Sequence, residues 1–108
     1  MSTFDERKRS FEKKFINDQE IQFKVSARRN KYIGEWVSEK LGKNEIEKKE
    51  YIQEVIKADF EEPGDEDVFK KIKNDFKNAG VNINDSEIRK QMILELERAK
   101  KDFLWKNL

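Results

Sequence analysis

Four basic residues within one predicted helix are the clearest candidate for binding chemistry in this sequence. They are Lys24, Arg28, Arg29 and Lys31. Because a guanidinium group binds phosphate through two parallel N–H bonds, the cluster could hold the phosphate of an adenine nucleotide. The sequence has no glycine-rich loop of P-loop form to cradle that phosphate. Arg28 also fits a second role, since its place on an apolar helix stripe favours a partly buried ion pair with Asp59 or Glu62.

An acidic run from Glu61 to Asp67 holds carboxylates of the kind that bind divalent cations. Its spacing differs from that of an EF-hand loop, which alternates its ligands and closes with a glutamate. The pattern is typical of a turn followed by a helix start, where acidic side chains stabilise the positive end of the helix dipole. We therefore predict no metal site.

The residue types that most small enzymes use are missing. With no cysteine and no histidine, the chain has no thiolate nucleophile, imidazole base or disulfide, and it lacks the usual zinc ligands. No spacing of carboxylates and lysines assembles a base, a nucleophile and an oxyanion site. The sequence therefore predicts a binding protein without catalytic residues or a cofactor.

The balance of charge limits the class of partner. Lys and Arg number 24 and Asp and Glu number 23, which gives a net charge of +1. A chain without an overall basic field is not expected to bind nucleic acid or an anionic membrane. No apolar run approaches the ~20 residues of a spanning helix, and the N-terminus does not resemble a signal peptide. We therefore expect a cytoplasmic protein that is not inserted in a membrane.

Five segments carry helical periodicity without a competing strand pattern, so the predicted fold class is all-α. The residues that predict where these helices begin and end are Asn17, Gly42, Asn44 with Glu47, Pro63-Gly64 and Gly80. Polar caps start helices, and glycine and proline end them. Short connections favour antiparallel neighbours, so the helices from about Asp18 to the C-terminus are predicted to form a four-helix bundle.

Four residues midway along the apolar stripes are the predicted centre of this bundle. They are Trp36, Val55, Phe76 and Leu96. We expect them to be buried against one another, with Trp105 in the core or at its edge.

The first helical segment is shorter than the others, and its apolar face is a single stripe of aromatic rings. Phe4, Phe11 and Phe15 share that face. A helix of about 15 residues is marginal on its own. We therefore predict an N-terminal arm over residues 1–17 and a bundle over residues 18–108.

The aromatic stripe has two interpretations. Its rings could lie in a groove of a partner protein, as in helix-in-groove recognition. The first helix could instead fold back and add the rings to the core of its own domain. The helical period fits both, and Arg7 beside the stripe would suit an acidic groove in a partner.

Several strings of residues resemble those of a known family. They are Phe4-Asp5, Arg7, Phe11-Glu12, Lys14-Phe15, Asp18, Glu20, Phe23-Lys24, Ala27-Arg28-Arg29-Asn30-Lys31, Gly34, Trp36, Leu41-Gly42 and Asp59-Phe60-Glu61-Glu62-Pro63-Gly64-Asp65. In these the chain resembles the zeta-subunit family of bacterial F-type ATP synthase inhibitors. The match spans most of the chain and is one of pattern only after Asp75.

The resemblance implies a four-helix domain with an N-terminal inhibitory segment that enters a catalytic interface of the synthase head, stops rotation and prevents ATP hydrolysis. The partners would be the head subunits, and the protein would be peripheral to the membrane-bound synthase. The implied partner-binding residues are Phe4, Asp5, Arg7, Phe11, Glu12, Lys14 and Phe15. The chain departs from the family in being rich in lysine, as at Lys8 and Lys13, which bears on potency rather than fold.

A hypothesis from another class stays open. The chain could be a small helical module without inhibitory activity that senses an adenine nucleotide. The residues responsible would be Lys24, Arg28, Arg29 and Lys31. Titration calorimetry with ATP and ADP would separate such a sensor from a protein-binding inhibitor.

Overall fold

The described residues form five α-helices and no β-strand. The structure, a computed structural model, describes residues 3–61 and 64–106, and the side chains of residues 5–61 and 64–104. The helices are α1 (Thr3–Asn17), α2 (Gln19–Lys40), α3 (Glu45–Glu61), α4 (Glu66–Asn78) and α5 (Asp85–Lys106). The predicted all-α class is confirmed. Within the described ranges, no helix is both long enough and apolar enough to cross a membrane.

Polar side chains cap the N-terminal ends of α2 and α3. At α3, the backbone N–H of Asn44 donates to Glu47 Oε1 and that of Glu47 donates to Asn44 Oδ1, both at 2.9 Å. This is the predicted reciprocal cap. At α2, the cap is Asp18, whose Oδ1 accepts from the backbone N–H of Glu20 at 2.9 Å. The prediction of Asn17 as this cap was wrong, because Asn17 is still helical and the backbone becomes extended only at Asp18.

Two predicted glycine stops are confirmed. Gly42 follows α2 with φ +71° and Gly80 follows α4 with φ +70°. Glycine adopts these left-handed angles without the steric cost that a Cβ atom brings. Helix α3 ends at Glu61, and Pro63 lies outside the described residues.

Helices α2 and α5, each 22 residues long, pack against each other and contribute to two apolar clusters. The first, the α3–α4 cluster, is completed by α3 and α4 and contains Ile33, Val37, Tyr51, Val55, Val68, Phe69, Ile72, Phe76, Ile88 and Met92. The second, the α1 cluster, is completed by α1 and contains Phe11, Val25, Ala99 and Leu104. The described residues therefore have two packing centres along the α2–α5 pair.

The predicted centre of the bundle is divided between these clusters. Val55 and Phe76 are buried in the α3–α4 cluster. The half-buried Trp36 meets Phe76 edge-on, with ring centroids 5.7 Å apart. Leu96 packs against the α1 cluster instead. The prediction that all four are buried together was wrong, because the apolar stripe of α5 passes from one cluster to the other. The Trp105 side chain lies outside the described residues.

Gly34 allows α2 and α3 to approach closely. A Cβ atom at Gly34 would lie 2.9 Å from Ile52 Cγ1 and 3.2 Å from Ile52 Cα. We expect Gly34→Ala to lower the free energy of unfolding by about 1–3 kcal/mol, the usual cost of overpacking. This clash should outweigh the gain of up to ~1 kcal/mol in helix propensity. Denaturant titration would measure the difference.

A double-mutant cycle would identify the cause of that loss. Ile52→Ala removes the Cγ1 atom, so Gly34→Ala should cost less in the Ile52→Ala background than in the wild type. Equal costs in the two backgrounds would contradict a steric origin at Ile52.

Candidate functional site

The aromatic stripe of α1 faces the protein's own domain. Only 8% of Phe11 is exposed. The centroid of its ring lies 6.1 Å from that of Phe103 on α5 and 6.3 Å from that of Phe15. Phe15 is half-buried against the same cluster. In this conformation α1 is folded back against α2 and α5. The Phe4 side chain lies outside the described residues.

The polar candidates on α1 divide between a contact side and a solvent side. Glu12 is half-buried and pairs with Lys100 of α5, with 3.7 Å between Oε2 and Nζ. The exposed candidates are Asp5, Arg7 and Lys14. Arg7 and Lys14 border a cleft of about 610 Å³ between α1, α2 and α5. The solvent side is therefore the part of α1 open to a partner in this conformation.

Gln22, which the sequence pattern does not single out, joins the end of α1 to α2. Its Nε2 donates to the backbone carbonyl of Phe15 at 2.7 Å and to that of Ile16 at 3.0 Å. Carbonyls in the last turn of a helix lack intrahelical partners. Hydrogen bonds from Gln22 therefore hold the C-terminal end of α1, and the apolar contact of Phe11 holds its middle.

The four basic candidates do not lie together, because Arg29 belongs to a buried network. Arg29 is 2% exposed. It donates from Nη1 to Asp65 Oδ1 at 2.9 Å and from Nη2 to Asp59 Oδ1 at 3.4 Å. Its Nε donates to Asn30 Oδ1 at 2.8 Å, and Asn30 Nδ2 donates to Asp59 Oδ2 at 2.9 Å. We call these four residues the Arg29 network. Its guanidinium is closed to a ligand arriving from solvent.

The predicted ion pair between Arg28 and Asp59 was wrong. Asp59 does pair with an arginine, but with Arg29, the next residue along α2. Arg28 precedes Arg29 by one residue and so points to another side of α2. It pairs with Asp102 of α5, with 3.5 Å between Nη1 and Oδ2. The other predicted partner, Glu62, lies outside the described residues.

The remaining basic candidates line a groove of about 780 Å³ beside α2 and α3, which we call the α2–α3 groove. Its basic residues are Lys24, Arg28, Lys31 and Lys49, and its apolar residues include Phe23, Ala27, Ile52, Ile56 and Phe103. Tyr32 also lines the groove and donates its hydroxyl to Asp102. Burial and this hydrogen bond raise the pKa of Tyr32. The groove therefore combines an apolar lining with positive charge.

Comparison with protein-family models shows which family shares this pattern. The model described as ATPase inhibitor subunit zeta matches residues 1–102, a range that includes α1 to α4 and most of α5. The chain belongs to this family. The resemblance found in the sequence is thereby confirmed. The zeta family is one of inhibitor subunits and not of enzymes.

A solved structure is similar to this zeta-family chain. It is a solution NMR structure that superimposes with a TM-score of 0.70 at 41% sequence identity. The likeness covers 80% of this chain and 98% of that one. A comparison with curated proteins gives no match.

Lys24, Arg28 and Lys31 of the α2–α3 groove were candidates from the sequence, but the other residues that line it in this zeta-family chain were not. Lys49 and Ile56 look like ordinary positions of α3 until α3 packs against α2. Among these other residues, Phe23 has a signal in the sequence, because it is a large aromatic residue off the apolar stripe through Ile21 and Val25. An aromatic residue at such a position is exposed unless another element covers it.

The acidic run of this zeta-family chain forms ion pairs. Among the residues that the structure describes, no three acidic side chains lie close enough to hold a metal ion. Glu66 accepts two hydrogen bonds from the guanidinium of Arg89, at 3.0 and 3.3 Å. These bonds lower the pKa of Glu66. Asp65 forms no side-chain cap on α4, because its carboxylate is bonded to Arg29.

Proposed function

We propose that this zeta-family protein inhibits ATP hydrolysis by binding the catalytic head of an F-type ATP synthase and inserting α1 into a catalytic interface. The observation that carries the proposal is the family match over residues 1–102, which includes α1. In this role the protein is a peripheral subunit of the membrane-bound synthase. It needs no catalytic residue, because it acts by occupying a site.

The contacts of α1 support its role as the inserting segment. From Asp5 to Asn17, Phe11 is the one buried residue. A helix held by one buried ring and a few polar contacts can leave its own domain and bind in a groove of a partner. The same aromatic stripe would make the apolar contacts in both places. The exposed Arg7 would then steer the approach to an acidic surface.

The bundle over residues 18–108 would anchor and position this arm. Its helices α2, α3, α4 and α5 all contribute to the α3–α4 cluster, and none of the α1 side chains that the structure describes is a buried member of it. The larger packing centre therefore does not depend on the arm, which supports the proposed division of the chain.

Deleting residues 1–17 is expected to abolish inhibition while leaving α2 to α5 folded. Inhibition disappears because the inserting segment is missing, and the fold remains because the α3–α4 cluster is intact. The measurements are the rate of ATP hydrolysis by the purified head at increasing protein concentration, and thermal unfolding followed by circular dichroism.

Ile93→Ala is the matched control in the bundle. Ile93 is 62% exposed and lies outside residues 1–17, so its truncation should leave both inhibition and melting close to wild type. Full-length protein that binds the head without slowing hydrolysis would contradict the inhibitory role. Non-cooperative unfolding of the truncated protein would contradict the division into arm and bundle.

A further inference from the structure

We propose that the α2–α3 groove is the surface through which the bundle binds the synthase head, and that its occupant is an acidic amphipathic helix of the head. This inference rests on the proposed function and adds the contact that holds the bundle in place while α1 acts. It is carried by exposed aromatic rings, by charge of a single sign and by the length of the groove.

Exposed apolar side chains lie along the groove and at one end of it. Phe23 is 54% exposed and Phe60 is 61% exposed, and their ring centroids are 5.4 Å apart. Ile52 and Ile56 extend the apolar surface along α3. Aromatic pairs left in solvent offer apolar area that a partner removes from water, and such rings are frequent anchors of interfaces.

The charged side chains that line the groove are all basic. Its lining holds four basic side chains and no carboxylate, although the net charge of the whole chain is only +1. Lys24 is paired with Glu20 at 3.1 Å and Arg28 with Asp102 at 3.5 Å. The other two, Lys31 and Lys49, form no ion pair with any residue in the described parts of the chain. Carboxylates of a partner would therefore complement these two lysines most directly.

The groove runs along two antiparallel helices. Residues in the first half of α2 meet residues late in α3, since Arg29 pairs with Asp59 and the ring of Phe23 packs against that of Phe60. On α2, the rise from Lys24 to Lys31 is about 10 Å at ~1.5 Å per residue. This length matches about two turns of a docked helix, with an apolar face towards the groove and acidic residues on its flanks.

The same spread of charge disfavours a nucleotide as the occupant. A phosphate site needs donors that converge on one group, and backbone N–H groups at helix starts or in glycine-rich loops usually supply them. The backbone N–H groups of helix interiors, where these lysines lie, are already bonded within the helix. Basic side chains distributed along a groove instead match carboxylates distributed along a partner segment.

The test compares two triple variants of the full-length protein in binding to the purified head. The groove variant carries Phe23→Ala, Lys31→Glu and Lys49→Glu. The control carries Ile46→Ala, Lys57→Glu and Lys90→Glu. All six positions are exposed, so both variants should melt like the wild type. Lys31→Glu alone is a milder variant if the triple change impairs folding.

We expect the groove variant to raise the dissociation constant for the head at least about tenfold, because it removes an anchor and reverses two charges. Its defect should shrink at high salt, where charge contacts are screened. Inhibition at saturating protein should match the wild type, because α1 is unchanged. The control variant should bind with wild-type affinity.

Wild-type affinity of the groove variant for the head would overturn the proposal. The proposal is also overturned if ATP or ADP binds the wild type, and the groove variant loses that binding while retaining its affinity for the head. The proposed function fails differently, since saturating full-length protein would then leave hydrolysis unchanged whatever the groove variant does. No binding of the wild type to the head would overturn both.

Discussion

Replacing Arg29 with alanine is expected to lower the free energy of unfolding by about 3–5 kcal/mol, the range for removing one partner from a buried ion pair. Arg29 is among the largest fully buried side chains. Its loss leaves Asn30 and Asp59 without their guanidinium partner where little water can replace it. A domain of this size has a total stability of about 5–15 kcal/mol. Denaturant titration followed by circular dichroism would measure the loss.

Arg28→Ala is the matched control, since Arg28 is adjacent in sequence but lies in a different environment. Its side chain is 33% exposed and that of its partner Asp102 is 32% exposed. Such a pair should contribute no more than about 1 kcal/mol. Arg29→Lys should recover only part of the loss, because one ammonium group cannot reproduce the fixed geometry of the guanidinium donors. Equal costs at Arg28 and Arg29 would contradict the Arg29 network.

Phe76→Ala is expected to lower the free energy of unfolding by about 3–5 kcal/mol, the usual cost of truncating a buried phenylalanine. Phe76 is 1% exposed in the α3–α4 cluster, and Trp36 packs edge-on against it. The change leaves a cavity that surrounding side chains fill only in part. Thermal melts would report the loss of stability, and tryptophan fluorescence would report the altered surroundings of Trp36.

Phe60→Ala provides the same chemical change on the surface. Phe60 is 61% exposed, so its truncation should alter the free energy of unfolding by less than about 1 kcal/mol. A Phe76→Ala protein that melts within a degree or two of the wild type would show that α4 presents a different face to the core.

The helices of this protein were predictable because their boundary signals are local. The reciprocal cap of Asn44 and Glu47 and the stops at Gly42 and Gly80 each depend on a few neighbouring residues. The buried arginine was not predictable in the same way. Arg28 and Arg29 lie about 100° apart around α2, and only the packing of α3 against α2 decides which of two such neighbours is buried.

Only those features of the candidate site that lie on a single helix were predictable from the sequence. The stripe of Phe11 and Phe15 follows from their spacing, but whether it meets its own domain or a partner depends on competing contacts. The α2–α3 groove joins Phe23 and Lys31 to Lys49 of another helix. Such a surface exists only after the helices pack, so periodicity within one helix cannot reveal it.

The burial of Phe11 in one cluster with Ala99 and Leu104 would impose a free-energy cost on the proposed insertion of α1. Only molecules that have released α1 could insert it, so the measured dissociation constant equals the intrinsic one divided by the released fraction. A released fraction of about 1% would weaken the measured affinity about 100-fold. A looser contact at Leu104 would raise that fraction, and the protein would become a more potent inhibitor as its fold became less stable.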